Sequence, residues 1–250
     1  MEMTQENSEI FSRTELLLGK AAMERLARAR VIVFGLGGVG GAATEALARA
    51  GVGHIAIVDD DVVGPSNANR QIIATSQTMG MPKVDAMAQR IASINPSCDV
   101  EPHRCFYLPA TSDQIDIGSF DYAIDAVDTV TAKLHIISRA KEEGTPVISC
   151  MGTANKVDPT ALRVGDIQRT SVCPLARIMR KEARKRGLGH FLVVYSTEPA
   201  RTPVGEVDLK KELREGSSNR SVPGSVSFVP PVAGYILASV VVRDLAKYDE

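Results

Sequence analysis

The sequence predicts an α/β fold in which a mostly parallel sheet is flanked by helices. Three observations carry that prediction. Short apolar runs alternate with helical patterns through the first 150 residues. A glycine-rich turn joins the first of those runs to a helix. The composition, 44% hydrophobic and 24% charged over 250 residues, is that of a chain able to bury a large core.

Taken in order, Glu9 to Leu26 carries apolar residues at roughly helical spacing. Arg30 to Gly35 is a short buried strand ending in glycine, Gly38 to Ala50 an Ala-rich helix stopped by Gly51, and His54 to Asp59 a second strand. Together they make a βαβ unit. After a polar loop around Asn67 to Arg70, Lys83 to Ile94 reads as a helix and Asp99 to Phe106 as an edge strand. Asp121 to Asp125 is then a strand, Thr131 to Glu143 a helix and Pro146 to Cys150 another strand. Such alternation implies parallel strands with right-handed crossovers, and a site at their carboxyl ends.

The last hundred residues add a C-terminal extension of short strands, a basic helix and a loop. Leu162 to Val164 and Phe191 to Tyr195 are strand-like and flank a basic helix from about Pro174 to Arg186. About Ala200 to Ser225 is rich in Gly, Pro, Ser and charge, the composition of an exposed, mobile loop. Val232 to Ala246 is an apolar helix. It is interrupted by Arg243 and Asp244 and falls short of the roughly 20 residues that span a bilayer, which favours a core or dimer-interface helix over a membrane anchor.

Several classes lose support from composition. Met1 to Ser8 lack the basic-then-apolar order of a secretory signal, so a cytoplasmic protein is expected. Cys98, Cys105, Cys150 and Cys173 form no CxxC pair, which argues against a disulfide scaffold and against zinc. A net charge of -1 denies the molecule the broad basic field of a nucleic-acid binder; DNA is not an expected partner, and any RNA contact must come from a local patch.

Gly35-Leu36-Gly37-Gly38-Val39-Gly40 follows a strand and opens a helix, the context that makes such a loop credible as a phosphate site. Glycines permit the tight turn and the close approach of phosphate, while the helix N-terminus presents free N–H groups. Asp59 ends the second strand about 20 residues later, where a carboxylate accepts hydrogen bonds from ribose hydroxyls. A nicotinamide dehydrogenase and an ATP user remain equally compatible with that pair.

Arg70, in the loop Asn67 to Gln71, and Lys83, after Gly80, favour ATP. Two fixed cations beside a phosphate-binding helix terminus suit adenylation, in which charge builds on a triphosphate, whereas hydride transfer needs no such clamp. Asp125 and Asp128, at the end of the fourth major strand, place carboxylates where one can hold Mg²⁺ against phosphate oxygens.

Arg13, the Gly35 to Gly40 loop, Asp59-Asp60-Asp61, Ser66 to Gln71, Gly80-x-x-Lys83, Asn95-Pro96 and Asp125-x-x-Asp128 resemble, in order, the ATP site of the ubiquitin-activating-type adenylating enzymes, the ThiF/MoeB/HesA-like family. The resemblance implies a Rossmann-like single domain, with a nucleotide-binding core over about 28–150 and a substrate-binding extension over about 151–250. It implies that Gly35, Gly37, Gly38, Gly40, Asp59, Asp61, Asn67, Asn69, Arg70, Lys83 and Asp128 bind ATP. Within that set, Asp59 takes the ribose, Arg70 and Lys83 the phosphates, and Asp128 the metal. Arg13 matches an arginine that reaches the neighbouring subunit's site, so a homodimer is implied.

Val157 to Thr160, Cys173 to Ala176, Ser196-Thr197-Glu198, Gly224 to Phe228 and Thr129-x-x-x-Lys133 are similar to the branch of that family that dehydrates threonylcarbamoyladenosine in tRNA. That branch implies cyclisation of the modified nucleoside in the anticodon loop through an acyl-adenylate. The alternative is adenylation of the C-terminus of a ubiquitin-like sulfur-carrier protein; it loses support from the missing CxxC pairs that commonly hold zinc in such enzymes. A cysteine desulfurase or a sulfur-acceptor protein is the further partner the family admits.

The basic helix carries Arg177, Arg180, Lys181, Arg184 and Lys185 as candidate tRNA contacts, against the alternative of a solvated helix face. Cys173 is preferred as an inert thiol at a helix start over a nucleophile. His54, His103, His135 and His190 show no i, i+4 pairing and read as structural or surface residues.

Overall fold

The computed structural model describes residues 9–205 and 223–248. Two helices lead in, α1 (Ser12–Leu18) and α2 (Lys20–Arg28), followed by β1 (Arg30–Phe34), α3 (Gly40–Arg49) and β2 (His54–Val58). Next come α4 (Lys83–Ile94), β3 (Asp99–His103), β4 (Tyr122–Asp125), α5 (Val130–Glu142) and β5 (Val147–Cys150). The chain continues through β6 (Leu162–Asp166), α6 (Pro174–Lys185), β7 (Leu192–Ser196) and α7 (Val229–Ala246).

One seven-stranded sheet runs β3-β2-β1-β4-β5-β7-β6. Its pairings are parallel except for β6, which lies antiparallel to β7. The strands of the C-terminal part therefore extend the same sheet, with Ile148 beside Leu192 and Cys150 beside Val194. Strand order reverses direction between β1 and β4, and in open parallel sheets that switch point opens a crevice at the carboxyl ends.

Alternate residues of β1 face opposite layers. Val31 and Val33 join a core with Leu26, Leu47, Met87 and Leu237, whereas Ile32 and Phe34 join a second core with Tyr107, Ile117 and Ile136. A third cluster, around Leu134, Met179 and Phe191, seats α6 against α5. Strands buried on both faces read as continuous apolar runs, which is why β1 and β2 were visible in the sequence.

Two sequence expectations need adjustment. The helical pattern over Glu9 to Leu26 is divided by Gly19 at φ 82° into α1 and α2. The terminal helix begins at Val229, with prolines in its first turn, where a missing N–H costs nothing. By length and composition its 18 residues would suit a membrane span. Here Ala233, Leu237, Ala238 and Val241 are buried in the core shared with Leu47 and Ala43. Of the expected mobile loop, residues 206–222 lie outside the described residues, as do residues 1–8.

Candidate functional site

The glycine loop leaves β1 at the sheet's switch point. Gly35 has φ 88°, and a Cβ there would lie 2.9 Å from the Ala126 carbonyl oxygen of the turn after β4. Gly40 is still more constrained: a Cβ would sit 1.7 Å from the Gly35 carbonyl oxygen. The loop is thus pinched against its own first residue and against β4. Gly37 faces open space, as a loop that admits a ligand requires. In the first turn of α3 the Gly41 and Ala43 N–H groups bond the Gly37 and Val39 carbonyls, which leaves the Gly40 and Ala42 N–H groups without a backbone partner among the described residues.

Asp59 organises the acidic side. Its Oδ2 accepts from Leu36 N at 2.7 Å and its Oδ1 from Asp61 N at 2.9 Å, tying the end of β2 to the glycine loop. Lys83, buried at the start of α4, donates from Nζ to Asp61 Oδ2 at 3.1 Å and lies 3.9 Å from Asp59 Oδ1. Burial is the largest influence on Asp59 and pushes its carboxyl above the ordinary value, against the opposing pull of Lys83 and the two N–H groups. The Lys83 backbone N–H bonds the Asp61 carbonyl at 3.0 Å, which closes the intervening loop.

Within that loop, Asn67 stabilises its own turn: its Oδ1 accepts from Gly64 N at 3.0 Å. Arg70 donates from Nη1 to the Ser66 carbonyl at 3.0 Å and to Asn69 Oδ1 at 2.9 Å. Asn69 Nδ2 in turn donates to the Ser225 carbonyl at 3.0 Å, joining this loop to the segment before α7. Position 38 packs between Pro230 and Arg70. Gln71 is buried, and its Oε1 has no hydrogen-bond partner among the described residues.

The two aspartates after β4 differ in kind. Asp125 is fully buried, with Oδ2 accepting from Lys133 Nζ at 3.0 Å and from Ser149 Oγ, and Oδ1 accepting from Val127 N at 3.2 Å. Asp128 is exposed at the entry to α5, where its Oδ1 accepts from Thr129 Oγ1 at 3.3 Å. The carboxylate open to a ligand is therefore Asp128, while Asp125 shapes the turn that carries it. Sequence reasoning did not find Ser149 or this network; only the spacing from Asp128 to Lys133 hinted at it.

Arg13 is exposed on α1, and its side chain forms no hydrogen bond or ion pair with a described residue. The basic helix α6 is a mixture. Arg180 donates from Nη1 to the Thr170 carbonyl at 2.7 Å and to Thr170 Oγ1. Arg184 Nε donates to Gln168 Oε1 at 2.8 Å, and Lys185 Nζ to Glu182 at 2.9 Å. The side chains of Arg177 and Lys181 are exposed and make no hydrogen bond or salt bridge among the described residues. Cys173, preceding α6, is buried, and burial pushes the Cys150 thiol up to about 12. Among the described residues no group of three or more His, Cys, Asp or Glu is placed to hold a metal ion.

The ThiF family model matches residues 11–250. The tRNA threonylcarbamoyladenosine dehydratase of Bacillus subtilis is 42% identical over 241 residues, which is 95% of this chain and 94% of that protein. The enzyme of the same name from Escherichia coli is 34% identical over 92% of this chain and 90% of its own length. The structure of E. coli tRNA N6-threonylcarbamoyladenosine dehydratase in complex with ATP superposes with a TM-score of 0.88 at 30% identity, covering 100% of this chain and 98% of that one. The chain therefore belongs to the ThiF family, in the branch that contains the tRNA threonylcarbamoyladenosine dehydratases.

Proposed function

We propose that this chain dehydrates threonylcarbamoyladenosine in tRNA to a cyclic form, using ATP to activate the nucleoside's own carboxylate. The observation that carries the reading is likeness to a dehydratase along the whole chain, 95% of it at 42% identity, over a glycine loop, Asp59, Arg70 and Lys83 brought to one mouth. The alternative, adenylation of a ubiquitin-like carrier's C-terminus, shares the first half-reaction. It explains less of the likeness, which runs along nearly the whole chain.

In the reaction, a carboxylate oxygen attacks the α-phosphorus, the bond to pyrophosphate breaks, and an acyl-adenylate forms. The carbamoyl group then closes on the activated carbonyl and expels AMP, a net loss of one water. The closure is intramolecular, so positioning supplies much of its rate. Asp59 accepts the ribose hydroxyls, the N–H groups from Gly37 to Gly40 take phosphate at the α3 terminus, and Arg70 and Lys83 offset developing charge. Asp61, Asn67 and Asn69 hold these groups in place through the bonds described above. The unpartnered Gln71 Oε1 is a buried acceptor of the kind a bound water or hydroxyl satisfies.

Asp128 fits a magnesium ion: it is an exposed oxygen donor beside the phosphate mouth, and Mg²⁺ usually binds through one or two carboxylates plus the nucleotide. When bound there, the ion supplies charge neutralisation at the phosphates. A second copy of the chain completes the site through Arg13; Leu16 and Leu17 on α1, 86% and 81% exposed, give that contact an apolar face. Arg177 and Lys181 contact tRNA phosphates, the whole chain acts as one domain, and the protein works in the cytoplasm. Exchange of labelled pyrophosphate into ATP tests the reading. It should require tRNA bearing threonylcarbamoyladenosine; exchange driven by a ubiquitin-like carrier instead would favour the alternative.

A further inference from the structure

A cavity of about 560 Å³ opens beside the phosphate mouth, between the segments that follow β5 and β7 and the segment that precedes α7. Asn155 ties those segments together. It sits at φ 58°, its N–H donates to the Gly224 carbonyl, its Oδ1 accepts from Gly224 N at 2.7 Å, and its carbonyl accepts from Arg201 N. Ser225, on the cavity wall, takes the hydrogen bond from Asn69, the neighbour of Arg70. The cavity thus lies on the same carboxyl-end face of the sheet as the glycine loop. Its volume is within the range of small-ligand sites.

Lys156 lines this cavity and is only 2% exposed. Its Nζ donates to the Glu198 backbone carbonyl at 2.7 Å, and no carboxylate lies within salt-bridge distance of it among the described residues. The nearby acids are committed elsewhere. The Glu198 carboxylate accepts from Val157 N and Asp158 N and pairs with Arg201, while Asp158 accepts from Thr160 N and Oγ1. Among the described residues this ammonium has no counter-charge, an arrangement that a bound anion would complete. Val157 and Val226 supply apolar surface on the cavity wall.

We infer that Lys156 is the receptor for the substrate's carboxylate, with the apolar wall taking the threonine methyl and the base it is attached to. This rests on the dehydratase reading above and adds to it a residue that selects the acid. The site would hold the carboxylate before attack and reject nucleosides that lack it. Arg201, exposed at the rim, is already paired with the Glu198 carboxylate, which leaves Lys156 as the charge that selects the acid.

The test compares wild type with Lys156→Met, which keeps length and removes charge. In Lys156→Met the KM for threonylcarbamoyladenosine-containing tRNA should rise about tenfold or more, the scale of a lost charge-assisted hydrogen bond, with the KM for ATP within about twofold. A KM for the modified tRNA that stays within about twofold overturns the assignment. A second measurement needs no variant: the free nucleoside should inhibit the wild-type enzyme at least about tenfold better than its methyl ester. Equal inhibition by acid and ester, or none by either, overturns the assignment even if Lys156→Met does not fold. Wild-type protein that leaves the modified tRNA unchanged overturns the dehydratase reading itself, and this assignment with it.

Discussion

Lys133 Nζ lies 3.0 Å from Asp125 Oδ2, and both side chains are fully shielded from solvent. The pair joins α5 to the end of β4, and Ser149 of β5 donates to the same carboxylate. Removing one partner of a buried pair leaves an uncompensated charge, so Lys133→Met should lower unfolding free energy by about 3–5 kcal/mol in denaturant titration. Asp125→Asn combined with Lys133→Met should recover much of that loss. A single variant as stable as wild type would mean that the pair does not hold the turn before Asp128.

Asp59 gives the nucleotide site a pH dependence whose sign is fixed. Its pKa is raised by burial, so it takes up a proton at a higher pH than an ordinary aspartate. The ionised form is the one that accepts ribose hydroxyls and N–H groups. ATP affinity should therefore be full well above the raised value and fall as pH drops through it. Asp59→Asn should bind ATP weakly with a flattened profile, measured by calorimetry across pH. An unchanged pH profile in Asp59→Asn would place the titrating group elsewhere.

The phosphate clamp makes a kinetic prediction. Arg70→Ala, Lys83→Ala or Asp128→Ala should each cut adenylation about a hundredfold or more, read as pyrophosphate exchange by folded protein. For Arg13 the test is complementation. Mixed inactive Arg13→Ala and Asp128→Ala subunits should regain activity, since one of the two composite sites in a heterodimer is intact. No recovery after proven subunit exchange would remove Arg13 from the partner's site.

On α6 the cations divide by their partners. Arg177→Glu with Lys181→Glu should raise the tRNA KM and lower the slope of log K against log salt by roughly 1.5, because two phosphate contacts are lost. ATP affinity should hold. Arg180→Ala, which frees Thr170, should act on stability as well. A double variant with unaltered tRNA KM and salt slope would make this face solvated surface.

The legible parts of the molecule were those written locally. The glycine loop, Asp59 two elements on, and α4 from Lys83 to Ile94 are each fixed by short-range spacing, and the structure keeps them. What escaped depends on sheet register. Asp125 stands beside Ser149 only because β4 and β5 pair in that frame, and Lys133 reaches them from one helical turn into α5. The cavity at Lys156 is assembled from three segments separated by tens of residues, a distance that periodicity does not carry. Charge pattern likewise marked α6 as basic without showing that Arg180 and Arg184 are engaged by Thr170 and Gln168.

The most direct measurement is mass spectrometry of nucleosides from tRNA bearing threonylcarbamoyladenosine, incubated with purified protein, ATP and Mg²⁺. The expected result is a product lighter by one water, formed with AMP and pyrophosphate in equal amounts, and absent without ATP. Unaltered threonylcarbamoyladenosine, with protein that binds ATP and is folded, would contradict it.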